Sequence, residues 1–259
     1  MLKRLMTVAA ATSVLAACGD NGLGPGERTV SLSFTTRAPG TLNPSRQPWF
    51  SRVAAGDTIV AGQDTLIIDR VQIVLREIEL ERINDDACDD DSTGVDDDAC
   101  EEFEIGPMLV DLPLDGSVET VITVAVDTGT YDEIEFEIHK PDDDTPEDLA
   151  FLADHPDFDG VSIRVIGSFN GTAFVFQTDL NEDQEIELAT PLVITELATS
   201  TNLTMSIDLD TWFRSGTGAL INPRTANKGG ANENVVKDNI KDSIEAFEDD
   251  DRDGDDDDN

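Results

Sequence analysis

Apolar and polar positions alternate through most of the chain, and the alternation predicts strand after strand. Thr29 to Arg37 sets Val30, Leu32 and Phe34 against polar partners. Leu66 to Ile83 alternates through Val71, Ile73 and Leu75, then changes phase to Ile78 and Leu80, as a bulge or a corner requires. Further strands are expected over Glu102 to Leu114, Val118 to Val126 and Tyr131 to Lys140. In the last of these Ile134, Phe136 and Ile138 share one face, while Glu133, Glu135, Glu137 and His139 share the other. Val161 to Phe169 and Thr172 to Asp179 flank Asn170-Gly171, a pair that favours the positive φ angles of a tight hairpin turn. Glu185 to Glu196 and Asn202 to Phe213 close the series. About nine short strands with polar turns predict an all-β fold, an antiparallel β-sandwich over 29–215.

Two segments carry helical spacing instead. Pro146 to Ala153 reads as a short helix in an acidic connection. Glu233 to Phe247 places Val236, Ile240, Ile244 and Phe247 on one stripe, with Asn232 as N-cap. Glycine, asparagine and proline between Ser215 and Ala231 mark a long loop. The expected organisation is a signal at 1–17, a tether at 18–28 and the sandwich with an acidic insertion at 84–102. Residues 216–259 then form a loop, an amphipathic helix and an Asp-rich tail.

The first residues change the picture of where the protein resides. Lys3 and Arg4 precede a short apolar run that ends Leu15-Ala16-Ala17-Cys18. A charged start, an apolar stretch of this length and small residues before a cut describe a secretory signal. The run is too short to span a bilayer, which takes about 20 apolar residues. Leu15 to Cys18 resembles the bacterial lipoprotein box, which implies cleavage before Cys18 and acylation of its thiol. An ordinary signal peptide with an incidental cysteine is the plainer alternative. Asp20 stands third rather than second after the cut, which leaves outer-membrane delivery open, and the outer membrane is the expected location. Asn21 to Gly26 reads as a flexible tether.

Charge narrows the partners. Acidic residues number 56 against 17 basic, for a net charge of −39. Nucleic acid and anionic membrane surfaces are poor partners for such a chain, and cations are suitable ones. The acids concentrate in two blocks, at 84–102 and 241–259. Of three cysteines, Cys88 and Cys100 remain once Cys18 is lipidated, with eleven residues between them. An exported chain favours a disulfide there, closing a loop worth about 3 kcal/mol. Zinc is the competitor, but no histidine lies near to complete four ligands.

The stretches VSLSFTTRAPG, IDRVQIVLREIELE, PMLVDLPLDGSVETVITVAVDTGTYDEIEFEI and FNGTAFVFQ resemble an uncharacterised, DUF-type family of bacterial lipoprotein domains. The resemblance covers Thr29 to Lys140 well and the remainder loosely. It implies an immunoglobulin- or prealbumin-like sandwich on the cell surface and carries no activity. The acidic Cys88–Cys100 loop and the helical, Asp-rich end depart from the pattern.

Chemistry is sparse. The chain has no Gly-x-Ser-x-Gly elbow, no His-Glu-x-x-His pair and no phosphate-binding glycine loop ending in Lys-Ser/Thr. Its two histidines, His139 and His155, are read as inert surface residues. The ordered pattern lies at the end. Asp249, Asp251, Asp253 and Gly254 match positions 1, 3, 5 and 6 of an EF-hand loop, with Asp255 offering a carbonyl at 7 and Asp257 at 9. Such a loop turns alternate oxygens onto one calcium ion, but Asn259 stands one residue short of the position-12 Glu. A solvated acidic tail is the alternative.

Trp49 and Phe50, with Arg46 and Arg52, form the one place where aromatic and basic residues meet. Trp212 and Phe213 are expected to cap an end of the sandwich. The leading expectation is a non-enzymatic, lipid-anchored envelope module, calcium-stabilised, with a protein or polysaccharide partner. A carbohydrate-binding accessory domain of a polysaccharide-degrading system is the alternative.

Overall fold

The computed structural model describes residues 28–36, 57–83, 101–103, 106–197 and 200–257. Its strands form two sheets. The smaller contains β1 (Thr29–Thr35), β6 (Glu119–Ala125), β11 (Ser200–Ile207) and β12 (Ile244–Glu248), in the order β12-β11-β1-β6. The larger is built on β3 (Asp64–Arg82), which pairs with β2 (Asp57–Ala61), β4 (Glu101–Phe103), β5 (Met108–Asp111), β7 (Gly129–Ile138) and β8 (Ile163–Phe169). Beyond these, β9 (Thr172–Thr178) pairs with β8 and β10 (Glu182–Ile194) with β7. Three short α-helices, α1 (Pro146–Asp154), α2 (Leu209–Trp212) and α3 (Glu233–Lys241), and two 3-10 turns also lie among the described residues.

The expected change of phase lies in β3. β8 pairs with Leu66 to Ile73 and β7 with Leu75 to Arg82, so the two follow one another along the same strand. Pairing with β7 jumps from Arg76 to Ile78, and the skipped Glu77 has φ 48°. One extra residue in the left-handed region turns the following side chains over. Ile78 and Leu80 therefore join Ile73 and Leu75 in the core. The Asn170-Gly171 hairpin also forms, with φ 51° and 73°, both positive as a type I′ turn demands.

One buried cluster draws on both sheets: Val30, Leu32 and Leu203 from the smaller, and Ile78, Leu80, Ile134, Phe136 and Phe176 from the larger. Each fully buried aliphatic or aromatic side chain contributes about 1.5–3 kcal/mol. Trp212 and Phe213 belong to this core rather than capping its end. Both are fully buried; Trp212 Nε1 donates to Ser243 Oγ at 2.7 Å, and Phe213 meets Phe176 edge-on at 5.1 Å.

Four expectations need correction. The smaller sheet is not purely antiparallel, because β1 runs parallel to β11. Local alternation carries no information about strand direction, and the long crossover that a parallel pair needs is here most of the larger sheet. The expected series of strands lacks β2, because Asp57–Ala61 is too short an alternation to stand out. The run Asn202 to Phe213 splits at Asp208, whose carboxylate accepts from the Asp210 amide and caps α2.

The fourth concerns the end of the chain. The stripe from Val236 does not continue as helix to Phe247. α3 stops at Lys241, the Ser243 amide and hydroxyl both donate to the Ile240 carbonyl, and Ile244–Glu248 becomes β12 on β11. A single free strand edge outcompeted two more helical turns, since backbone pairing and burial of Ala246 and Phe247 come together there. Asn232 does occupy the N-cap position, but its side chain donates to Thr225 Oγ1 instead of capping. Lys237 and Lys228 both bind Asp179 at 2.6 Å, which fastens α3 and the loop before it to the end of β9.

Candidate cation sites

The C-terminal loop grows directly out of β12. The Asp249 amide donates to the Asn202 carbonyl, extending the pairing with β11 by one residue. This fixes the Asp249 carboxylate, which is fully buried. It accepts from Thr204 Oγ1 at 2.9 Å, from the Asp253 amide at 3.0 Å and from the Gly254 amide at 3.1 Å. Positive φ at Arg252 (56°) and Gly254 (83°) lets the backbone curl around it. The Asp257 amide then donates to the Glu248 carbonyl, and its Oδ2 accepts from the Asp250 amide at 2.6 Å, so the chain closes back on its own start.

This curl brings carboxylate oxygens of Asp249, Asp251 and Asp257 within 4.8 Å of one another. Three of the five expected residues thus converge. Asp253 does not join the trio; its Oδ1 accepts from the Asp255 amide at 2.9 Å. The Asp255 side chain is outside the trio as well. A strand leads into the loop where a helix was expected. Burial raises the Asp249 carboxyl above its usual range, with Asp253 adding to the shift, although its three donors pull the other way.

Behind the loop stands a polar wall that the sequence did not announce. Ser33 donates to Asn202 Oδ1 at 2.6 Å, and Asn202 Nδ2 donates to Thr204 Oγ1 and to the Asp249 carbonyl, both at 2.9 Å. Arg252 Nε reaches the same Asn202 Oδ1 at 3.2 Å. Asp250 is outside the trio and accepts from Thr201 and from the Asn202 amide. These polar positions alternate along β11 as an outward face would, yet Asn202 and Thr204 are buried.

A second acidic array lies across the larger sheet. Register places Glu79 opposite Glu135 and Glu135 opposite Glu185; the next row is Glu81, Glu133 and Glu187. Like charges directly opposed across strands destabilise a sheet. Partial burial and the neighbouring Glu79, Glu185, Asp183 and Glu81 raise the Glu135 carboxyl to about 7. Glu133 is raised for the same reasons, burial first.

His139 is not the inert surface residue expected. It is buried beside Asp148 of α1, with Nε2 and Oδ1 2.7 Å apart, and its Nδ1 faces Glu137 at 3.4 Å. Period two put it on the polar face correctly; only tertiary structure lays α1 over that face. His155 stacks against Phe151, ring centres 4.7 Å apart. Cys18, Cys88, Cys100, Arg46, Trp49, Phe50 and Arg52 lie outside the described residues.

No family model, no curated protein and no solved structure matches the chain. Among the described residues no helix is long and apolar enough to cross a membrane.

Proposed function

We propose that the protein is a lipid-anchored envelope module without catalytic activity, which binds or supports a partner and is stabilised by calcium at the Asp249–Asp257 loop. The observation that carries the reading is the convergence of Asp249, Asp251 and Asp257 on a loop locked to β11. Calcium takes six to eight oxygens at about 2.3–2.6 Å, so two of its ligands stand at most about 5 Å apart. Oxygens within 4.8 Å of one another fall inside that limit. Three carboxylates leave the remaining positions to water and carbonyl oxygens, which places the affinity on the order of 10⁻⁴–10⁻³ M, as in extracellular modules. Magnesium, which demands a compact octahedral shell, should substitute poorly.

Anchorage through acylated Cys18 and an outer-membrane location belong to the same reading. So does a sandwich of the immunoglobulin or prealbumin kind, the fold that the resemblance to the uncharacterised lipoprotein family implies. The shared core of the two sheets supports the sandwich.

The test is a calorimetric calcium titration of the protein beside a version ending at Glu248. Binding by the full chain alone supports the site; equal binding by both, or by neither, removes it. Cys18→Ser should abolish partition into membranes, and a variant that still carries acyl chains by mass spectrometry defeats the anchor. Binding on a sugar array that is lost in Trp49→Ala would replace the structural role with carbohydrate recognition.

A further inference from the structure

Between β7 and β8 the chain leaves the larger sheet at Pro141 and returns at Gly160. The Gly160 amide donates to the Pro141 carbonyl at 2.8 Å, which closes the base of the excursion. Loops with adjoining ends pack on their own side chains and open as units. This flap carries α1 and the turn Pro156–Phe158. Its apolar footing is small: Val74, Phe151 and Phe158 form a buried cluster separate from the main core, with Leu109, Leu152 and Val161 half-covered around it.

The other footing is ionic. Asp148 of α1 and His139, just past the end of β7, are 2% and 5% exposed, so their contact at 2.7 Å is sealed from solvent. On the far side of the ring stands Glu137, itself bound by Arg76 Nη2 from β3 at 2.7 Å. With the imidazole protonated, Arg76 and His139 balance Glu137 and Asp148. With it neutral, one buried negative charge has no counterpart, an arrangement proteins avoid.

The remaining groups around this cluster do not supply the missing charge. Glu77 binds Arg76 Nε, and Asp183 stands opposite Glu137 in register. Asn181 donates to Glu137, and the Asp142 backbone amide donates weakly to Asp148.

We propose that His139 is a protonation-controlled latch. Its imidazolium holds the Pro141–Gly160 flap on the sheet, and loss of that proton frees the flap and opens the groove between α1 and β5 that Met108, Leu109 and Phe151 line. Burial by itself lowers the imidazole's proton affinity, but the Glu137 and Asp148 carboxylates on its two sides outweigh it and hold the value above the usual one for histidine. The latch is therefore complete below the ordinary histidine range and is lost as pH rises through the raised value.

The experiment pairs histidine proton NMR with hydrogen exchange of the full chain between about pH 6 and pH 9. The His139 resonance should titrate above the usual histidine value of about 6.5. Across its midpoint, α1 amides should lose at least about tenfold in protection beyond the ordinary base-catalysed rise, while β8 and β9 keep theirs. In Asp148→Asn the step should vanish, with α1 exchanging fast throughout, and His155→Gln should leave it in place. A His139 midpoint at or below the usual value of about 6.5 overturns the latch. So does an α1 protection that shows no step, or a step shared equally by β8 and β9. If Asp148→Asn does not fold, the wild-type pH series decides alone.

Discussion

The two acidic regions use the same functional group and arrive at opposite situations. On the larger sheet, Glu79, Glu135 and Glu185, then Glu81, Glu133 and Glu187, project side by side from three strands with their backbones fixed by pairing. Strand geometry holds opposed Cβ atoms about 5 Å apart with side chains projecting in parallel, and these carboxylates do not gather on one point. In the C-terminal loop the backbone curls, and three carboxylates turn inward to within 4.8 Å, with backbone amides donating to Asp249 from behind. Repulsion spread over a sheet is relieved by protons and by diffuse salt. Repulsion focused in a loop is relieved by one divalent ion. Backbone curvature, not charge count, separates a strained surface from a candidate site.

The largest break in this comparison is Asp249→Ala. It would strand the Thr204 hydroxyl proton and the Gly254 amide, at about 1–3 kcal/mol for each buried group left unpaired, while the Asp253 amide keeps its second bond to Asp251 Oδ1 at 3.2 Å. Water entering the opened loop recovers part of that, so urea unfolding should show a loss of about 3 kcal/mol. Calcium should no longer raise the melting temperature. A variant that retains the full calcium response would move the ion elsewhere.

The sheet array should answer to pH instead. A carboxyl raised in the fold, as Glu135 is to about 7 from the usual 4.5, binds its proton more tightly folded than unfolded. Stability should therefore rise as pH falls through 7 and level off near 4.5. Solvent screening of this half-exposed group reduces the effect to about 1 kcal/mol. Unfolding at pH 8 and pH 5.5 measures it, and Glu135→Gln should flatten the difference by stabilising the fold at pH 8. An unchanged pH slope in that variant would clear the array of strain.

Sodium chloride separates the two regions by sign. Near 1 M the screening length falls to about 3 Å, so the array should gain a few tenths of a kcal/mol while calcium affinity at the loop declines. Both quantities moving in the same direction would show that the regions do not differ as argued.

The smallest effect is the sharpest for geometry. Asp257→Asn should weaken calcium binding by about tenfold, whereas Asp255→Asn should change it by less than about twofold, because only the first supplies a converging oxygen. Equal losses would restore the evenly spaced loop that the sequence motif suggests.

By itself the sequence determined the local features. Period-two alternation located most strands, the change of phase at Ile78 located the bulge at Glu77, and Asn170-Gly171 located a hairpin. Pro146, with Thr145 before it, started α1. Asp249-x-Asp251-x-Asp253-Gly254 marked the loop, because the spacing of donors in a tight turn is a local property.

Tertiary structure decided everything that depends on what lies across from a residue. It made β1 parallel to β11, and it drew Ile244–Glu248 out of a helical stripe onto a free edge. It buried His139 under α1 and left Asp253 out of the converging Asp249, Asp251 and Asp257 trio. Alternation states which face a side chain takes but not which partner covers that face, and hydrogen bonds and charges are settled by the partner.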